Sequence, residues 1–165
     1  MPNPDVAVTV TDPLICKGGK TFVVIDASQK EVSYQLKIGT QDVYNPVIGN
    51  GNSVKIEVGP LTTSQTYTIS ATYKTCYPRE LVAKATVGVQ QPLSYFAPHA
   101  FNVQPGQRIL FENHSKNPSG TYNWNFGVGA SLVTSPLPNP DSIYYAQPGS
   151  YLVSLITTSP LGCKD

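Results

Sequence analysis

Apolar and polar residues alternate with a period of two through most of the chain. Val6, Val8 and Val10 are separated by Ala7 and Thr9; Tyr34, Leu36 and Ile38 by Gln35 and Lys37; Val54, Ile56 and Val58 by Lys55 and Glu57; Tyr67, Ile69, Ala71 and Tyr73 by Thr68, Ser70 and Thr72. Successive side chains of a strand point to opposite faces, so each stretch predicts a half-buried strand. Thr21-Phe22-Val23-Val24-Ile25 is too short and too β-branched for a helix and predicts another, and a last strand is expected from about Leu81 to Val89. Asp12-Pro13, Gly18-Gly19 and Gly49-Asn50-Gly51-Asn52 supply turns between them. Six or seven short strands within about 90 residues is the pattern of an immunoglobulin-like sandwich.

The pattern restarts after Gln90-Gln91-Pro92. Ile15–Val24 lies over Asn102–Phe111 at an offset of 87 residues, Cys76 falls on Cys163 at the same offset, and Tyr67 falls on Tyr151 at 84. A repeat of this period predicts tandem copies of one fold, a first sandwich over residues 1–90 and a second over 91–165. In both copies the tyrosine follows a turn and opens an alternating strand. This is the position of a tyrosine corner, whose hydroxyl bonds back to the upstream backbone, so Tyr67 and Tyr151 are expected to be structural core residues.

Composition narrows the function classes. Of 165 residues, 17 are Val, 15 Thr and 10 Tyr, the bias of strands, and 13 Gly with 15 Pro supply turns. Lys and Arg number 11 against 10 Asp and Glu, a net charge of +1 without a block of either sign. Such a chain lacks the basic face that phosphate neutralisation needs, which argues against a nucleic-acid partner. No apolar run approaches the ~18 residues of a membrane span, and Met1-Pro2-Asn3-Pro4-Asp5 has none of the character of a signal peptide.

The second copy carries a specific motif. Tyr122-Asn123-Trp124-Asn125-Phe126-Gly127-Val128-Gly129, followed by Tyr144-Tyr145-Ala146-Gln147-Pro148-Gly149-Ser150-Tyr151-Leu152-Val153, resembles the Trp-Asp-Phe-Gly-Asp-Gly and Pro-Gly-x-Tyr-x-Val segments of PKD (polycystic kidney disease) domains over about residues 92–165. Asn125 and Val128 stand where that family carries carboxylates. On a strand, Tyr122, Trp124 and Phe126 share one face, and each aromatic can bury ~150–250 Å2, so Trp124 and Phe126 are expected in the core rather than on a carbohydrate platform.

The first copy, with Pro13-Leu14-Ile15-Cys16-Lys17-Gly18, Val32–Leu36 and Thr66–Ala71, is similar to the Ig-like repeats of giant surface adhesins of gliding Bacteroidetes, the SprB type. That resemblance implies export by the type IX system, display at the cell surface and adhesion to a substratum. In a PKD-like sandwich the strand expected over about Tyr151–Thr157 is followed by one more, so the second domain is expected to lack its last strand and the chain to be a fragment. A missing edge strand exposes backbone donors and acceptors to partner strands.

Catalytic chemistry is hard to assemble. His99 and His114 are the only histidines, no nucleophile motif frames them, and small sandwiches lack a deep crevice, so both are expected in solvated or turn roles. The ten carboxylates show no Asp-x-Asp spacing. No cofactor is expected; calcium, whose oxygen ligands could converge from several loops at the domain junction, is the one ion left open. Three cysteines without C-x2-C spacing do not suit zinc. Asn113-His114-Ser115 fits the N-glycosylation triplet, and Asp141-Ser142-Ile143 resembles the O-glycosylation site of Bacteroidetes, with Ser142 as acceptor.

A β-rich, export-compatible chain favours a disulfide. In an immunoglobulin-like sandwich the turn before the second strand and the turn after the sixth lie at opposite ends, roughly 20 Å apart, whereas a disulfide needs Cα atoms within ~7 Å. In a head-to-tail rod the first turn of one domain faces the second turn of the next. The expected bridge is therefore Cys16–Cys163, with Cys16–Cys76 as the alternative.

These readings converge on a monomeric, non-enzymatic adhesin fragment, a stiff spacer whose partners are neighbouring repeats of the same chain and an extracellular polysaccharide or surface. The rival is a carbohydrate- or protein-binding accessory module of a secreted hydrolase. Exposed aromatics discriminate: a flat solvent-facing row of Tyr44, Tyr77, Tyr95 or Phe96 would favour the binder, and their packing at the junction the spacer; Leu93, Tyr95, Phe96 and Phe101, near Pro92 and Pro98, are expected to pack between the domains and make the rod stiff.

Overall fold

The computed structural model of the chain describes residues 1–116 and 119–165, and every regular element among them is a β-strand. The chain divides into two units, Met1–Gln90 and Gln91–Asp165.

In the first unit, β1 (Val8–Val10), β3 (Thr21–Ile25) and β6 (Val54–Val58) form one antiparallel sheet, with β3 in the middle. The second sheet runs β2 (Leu14–Cys16), β9 (Ala85–Gln90), β7 (Gln65–Tyr73), β4 (Val32–Ile38), β5 (Gln41–Ile48), and the short β8 (Arg79–Glu80) also pairs with β7. Its pairings are antiparallel except β2 with β9, which run parallel through Leu14↔Gly88 and Cys16↔Gln90. The alternating residues close the layers: Val23, Ile25, Ile56 and Val58 join Tyr34, Leu36, Tyr67, Ile69, Ala71 and Val87 in one buried cluster. This is an immunoglobulin-like sandwich by strand order and packing.

The short strands β2 and β8 have no counterpart in the sequence expectation, and two further details differ from it. The last strand begins at Ala85 rather than near Leu81; Leu81 is buried, but its N–H donates to the Ile69 carbonyl from outside a strand. β5 has no counterpart in the alternation. It is an edge strand with only Val43 and Val47 half-buried, so it shows no period of two, and its edge position tolerates Pro46. A bulge between Tyr34 and Leu36 interrupts its register, and the Gln35 amide spans it by donating to the carbonyls of Val43 and Tyr44 at 2.9 and 3.1 Å.

The second unit is a smaller sandwich. β10 (Phe96–Pro98) pairs with β11 (Phe111–Asn113), and an Ile109↔Ile143 bridge extends that layer. The other layer is β13 (Thr134–Ser135), β12 (Thr121–Asn125), β14 (Ser154–Thr158), antiparallel with β12 central. Ile109, Phe111, Trp124, Phe126, Ile143, Tyr145 and Leu155 fill the space between. β14 starts at Ser154, three residues later than the strand expected from Tyr151.

Candidate binding surfaces

The aromatic core of the second unit fixes its loops. Trp124 and Phe126 are fully buried and stack with ring planes 6° apart; the edge of Phe96 meets Trp124 at 5.1 Å between centroids. The indole N–H donates to the Leu137 carbonyl at 3.0 Å, and the Tyr145 hydroxyl to the Phe126 carbonyl at 2.7 Å. Burial, then the neighbouring Tyr151, pushes the Tyr145 hydroxyl above the usual phenol range, so it stays a donor. Asn125 Oδ1 accepts from the Gly127 N–H at 2.9 Å and closes the turn. Gly127 takes a φ of 84°, which an L side chain rarely adopts.

The two tyrosine corners differ. Tyr151 donates to the Gln147 carbonyl, as expected. Tyr67 does not reach backbone: its hydroxyl lies 3.4 Å from that of Tyr44, which accepts from the Gly59 N–H at 3.0 Å. β5 brings the Tyr44 ring edge-on to Tyr67, between the hydroxyl and the upstream chain. Sequence reasoning missed Tyr44 in this role because β5 has no periodic signature.

Tyr44 stays exposed on the edge strand but is tied to Tyr67 and Gly59, and Phe96 packs in the second core. Tyr77 is almost fully exposed, and Tyr95 lies at 5.8 Å from the His114 ring.

Beside that ring is a polar cluster. Glu112 of β11 receives His99 Nε2 at 2.7 Å on one carboxylate oxygen and His114 Nε2 at 3.5 Å on the other. The hydrogen bond from His99, then the His99 charge, holds the Glu112 carboxyl below the usual carboxylate range. All three side chains are about half exposed on an open strand face. Among the described residues no group of three or more His, Cys, Asp or Glu side chains is placed to hold a metal ion.

A concavity of about 860 Å3 in the second unit opens between residues 95–105 and 145–153. Phe96, Phe101, Val103, Tyr151 and Val153 give it an apolar floor and rim, and none of its lining residues is charged.

Of the cysteines, Cys16 and Cys163 are each disulfide-bonded, and Cys76 is an exposed free thiol. Ser142 is half-buried, and its hydroxyl accepts from the Arg108 guanidinium at 3.2 Å. Asn113 has its amide engaged, donating to the Pro138 carbonyl at 2.7 Å while its oxygen accepts from the Ser115 N–H.

Strand order, packing and an all-β chain define the class as immunoglobulin-like β-sandwiches in tandem. No protein-family model and no curated protein matches the chain. Among solved structures it is similar to the crystal structure of murine CEACAM1b, at 10% sequence identity over 94% of this chain and 93% of that one, with a TM-score of 0.41.

Proposed function

We propose that the chain is a non-enzymatic segment of a cell-surface adhesin of the gliding type, its first sandwich an Ig-like repeat and its second a PKD-like domain, exported by the type IX route. The observation that carries this reading is two β-sandwiches whose matching landmarks recur 84–87 residues apart, with disulfide-bonded cysteines in a chain of low charge. Repeating modules of this kind bury their own cores and extend a chain outward from a surface, and disulfides persist in oxidising compartments. The PKD-like reading is supported by Asn125, which serves the turn, and by Tyr151, whose corner follows Pro148-Gly149. The accessory-module alternative draws no support from Tyr44 and Phe96, which serve their own units. Neighbouring repeats are the first partners, and an extracellular polysaccharide is a second.

Exchange of residues 1–165, within the adhesin this reading implies, for an unrelated pair of β-sandwiches tests it. Attachment and gliding should persist. Lost attachment with retained surface display would replace the spacer by a specific binder.

A further inference from the structure

The loop between β5 and β6 carries a pair of residues that can react with each other. Of the ten asparagines, Asn3, Asn45, Asn117 and Asn139 precede proline, whose nitrogen has no proton to lose, and only Asn50 precedes glycine. A backbone amide that has lost its proton can attack the side-chain Cγ of the asparagine before it. Glycine hinders that approach least, because it has no Cβ.

Asn50, Gly51 and Asn52 are all exposed, so water and hydroxide reach them. Asn50 Oδ1 accepts from the Asn52 N–H at 2.8 Å, which polarises the side-chain carbonyl and meets the negative charge that attack on Cγ places on that oxygen. Gly51 takes a φ of 95°, and a methyl group built on it would come within 3.1 Å of Lys30 Cε. The lysine stem therefore lies along the glycine and brings its ammonium, one bond farther, near the reacting peptide. Among the described residues nothing accepts from the Gly51 N–H or from the Asn50 side-chain amide, so nucleophile and leaving group are both free. Asn113 and Asn125 have their Oδ1 atoms held in the same way, but the nitrogens that would attack are engaged. The His114 N–H donates to the Tyr95 carbonyl and the Phe126 N–H to the Val133 carbonyl, both at 2.8 Å.

We infer that Asn50–Gly51 is a self-modification site of the folded chain. The Gly51 N–H gives its proton to hydroxide, the nitrogen bonds to Asn50 Cγ, the Cγ–Nδ2 bond breaks, and Nδ2 takes up a proton and leaves as ammonia. Water then adds to either carbonyl of the succinimide ring and opens it, leaving aspartate or isoaspartate; nothing is oxidised or reduced. Isoaspartate carries the backbone through Cγ and so inserts one extra carbon between two anchors on Ser28. The Asn50 N–H donates to Ser28 Oγ at 3.2 Å, and the Asn52 carbonyl accepts from the Ser28 N–H at 3.0 Å and from its hydroxyl. Ser28 is buried and cannot follow both, so conversion adds a negative charge and loosens the first unit at this loop. The modification accumulates with the age of the protein and does not depend on the spacer reading.

The test holds the whole folded chain in mildly alkaline buffer at body temperature and maps its peptides at intervals, with an isoaspartate-specific methyltransferase as the label. The Asn50 peptide should gain about 1 Da and take the label ahead of every other asparagine peptide. Lys30→Met should slow conversion about two- to fivefold, the worth of one exposed charge contact. Asn50→Ser, whose hydroxyl can still accept from the Asn52 N–H, should keep the native melting curve and lose the label. The labelled fraction should melt in its first unit about 4–8 °C below the unlabelled one, the shift expected when roughly one hydrogen bond is lost, with the second unit unchanged. An Asn50 peptide of unchanged mass overturns the proposal. So does conversion of Asn50 only in the urea-unfolded chain, which makes the folded turn a shield, or a label that persists in Asn50→Ser, which places the site elsewhere.

Discussion

The Tyr151 hydroxyl donates to the carbonyl of Gln147, 2.8 Å away and four residues upstream, while its ring stacks on Tyr145 at 3.8 Å between centroids. One side chain thus ties the loop before β14 to the aromatic core and sets one wall of the concavity. Tyr151→Phe should keep the stacking and lose the bond, at a cost of about 0.5–1.5 kcal/mol. Tyr145→Phe leaves the buried Phe126 carbonyl without its donor and should cost more, about 1–3 kcal/mol. Urea titration of both variants checks the order; equal effects would show that the Phe126 carbonyl finds another partner.

Trp124→Ala should destabilise the second unit by about 3–5 kcal/mol, the usual loss for a large buried aromatic, and leave the first unit's transition in place. Differential scanning calorimetry separates the two. An unchanged melting curve together with lost glycan binding would return Trp124 to the surface platform it was weighed against.

Trp124 was legible because a period of two in β12 places it on one face with Tyr122, and the same logic reached Tyr34, Leu36, Ile56 and Ile69. β5 was not legible, because an edge strand with both faces largely exposed has no alternation to read. The start of β14 was misplaced for a related reason. Tyr151 and Val153 alternate as a strand would, but the partner strand β12 ends at Asn125, opposite Ser154, so the regular element begins there. Of the surface features, the Glu112–His99–His114 cluster could have been suspected from the i, i+2 spacing of Glu112 and His114. The arrival of His99 from beyond β10 is a product of the β10–β11 register.

Glu112 gives a pH dependence of known sign. Its carboxyl titrates below the ordinary value of 4.5 in the folded protein, so its contribution is present above that value and is lost as pH falls through the lower folded one. With all partners half exposed and screened by solvent, the effect is small. Stability of the second unit should fall more shallowly for Glu112→Gln than for the native chain between pH 5 and 3. Parallel curves would show that the two histidine contacts do not persist in solution.

The cysteines make a covalent prediction. With Cys76 a free thiol and Cys16 and Cys163 both bonded, we expect a non-reducing peptide map to return one linked pair, Cys16 with Cys163, and alkylated Cys76. A Cys16–Cys76 peptide, or alkylated Cys163, would contradict the topological argument that keeps Cys16 and Cys76 at opposite ends of one sandwich.

Single-molecule pulling from the two termini tests most directly the claim that this chain is a mechanical spacer. The expected Cys16–Cys163 bond would carry the force past both sandwiches under oxidising conditions, and the account then predicts no extension beyond the short segments outside it. After reduction two unfolding steps should appear, adding about 30 nm for Met1–Gln90 and about 25 nm for Gln91–Asp165, at the ~3.5 Å that an extended residue spans. Stepwise lengthening of the oxidised chain by either of these amounts would contradict it.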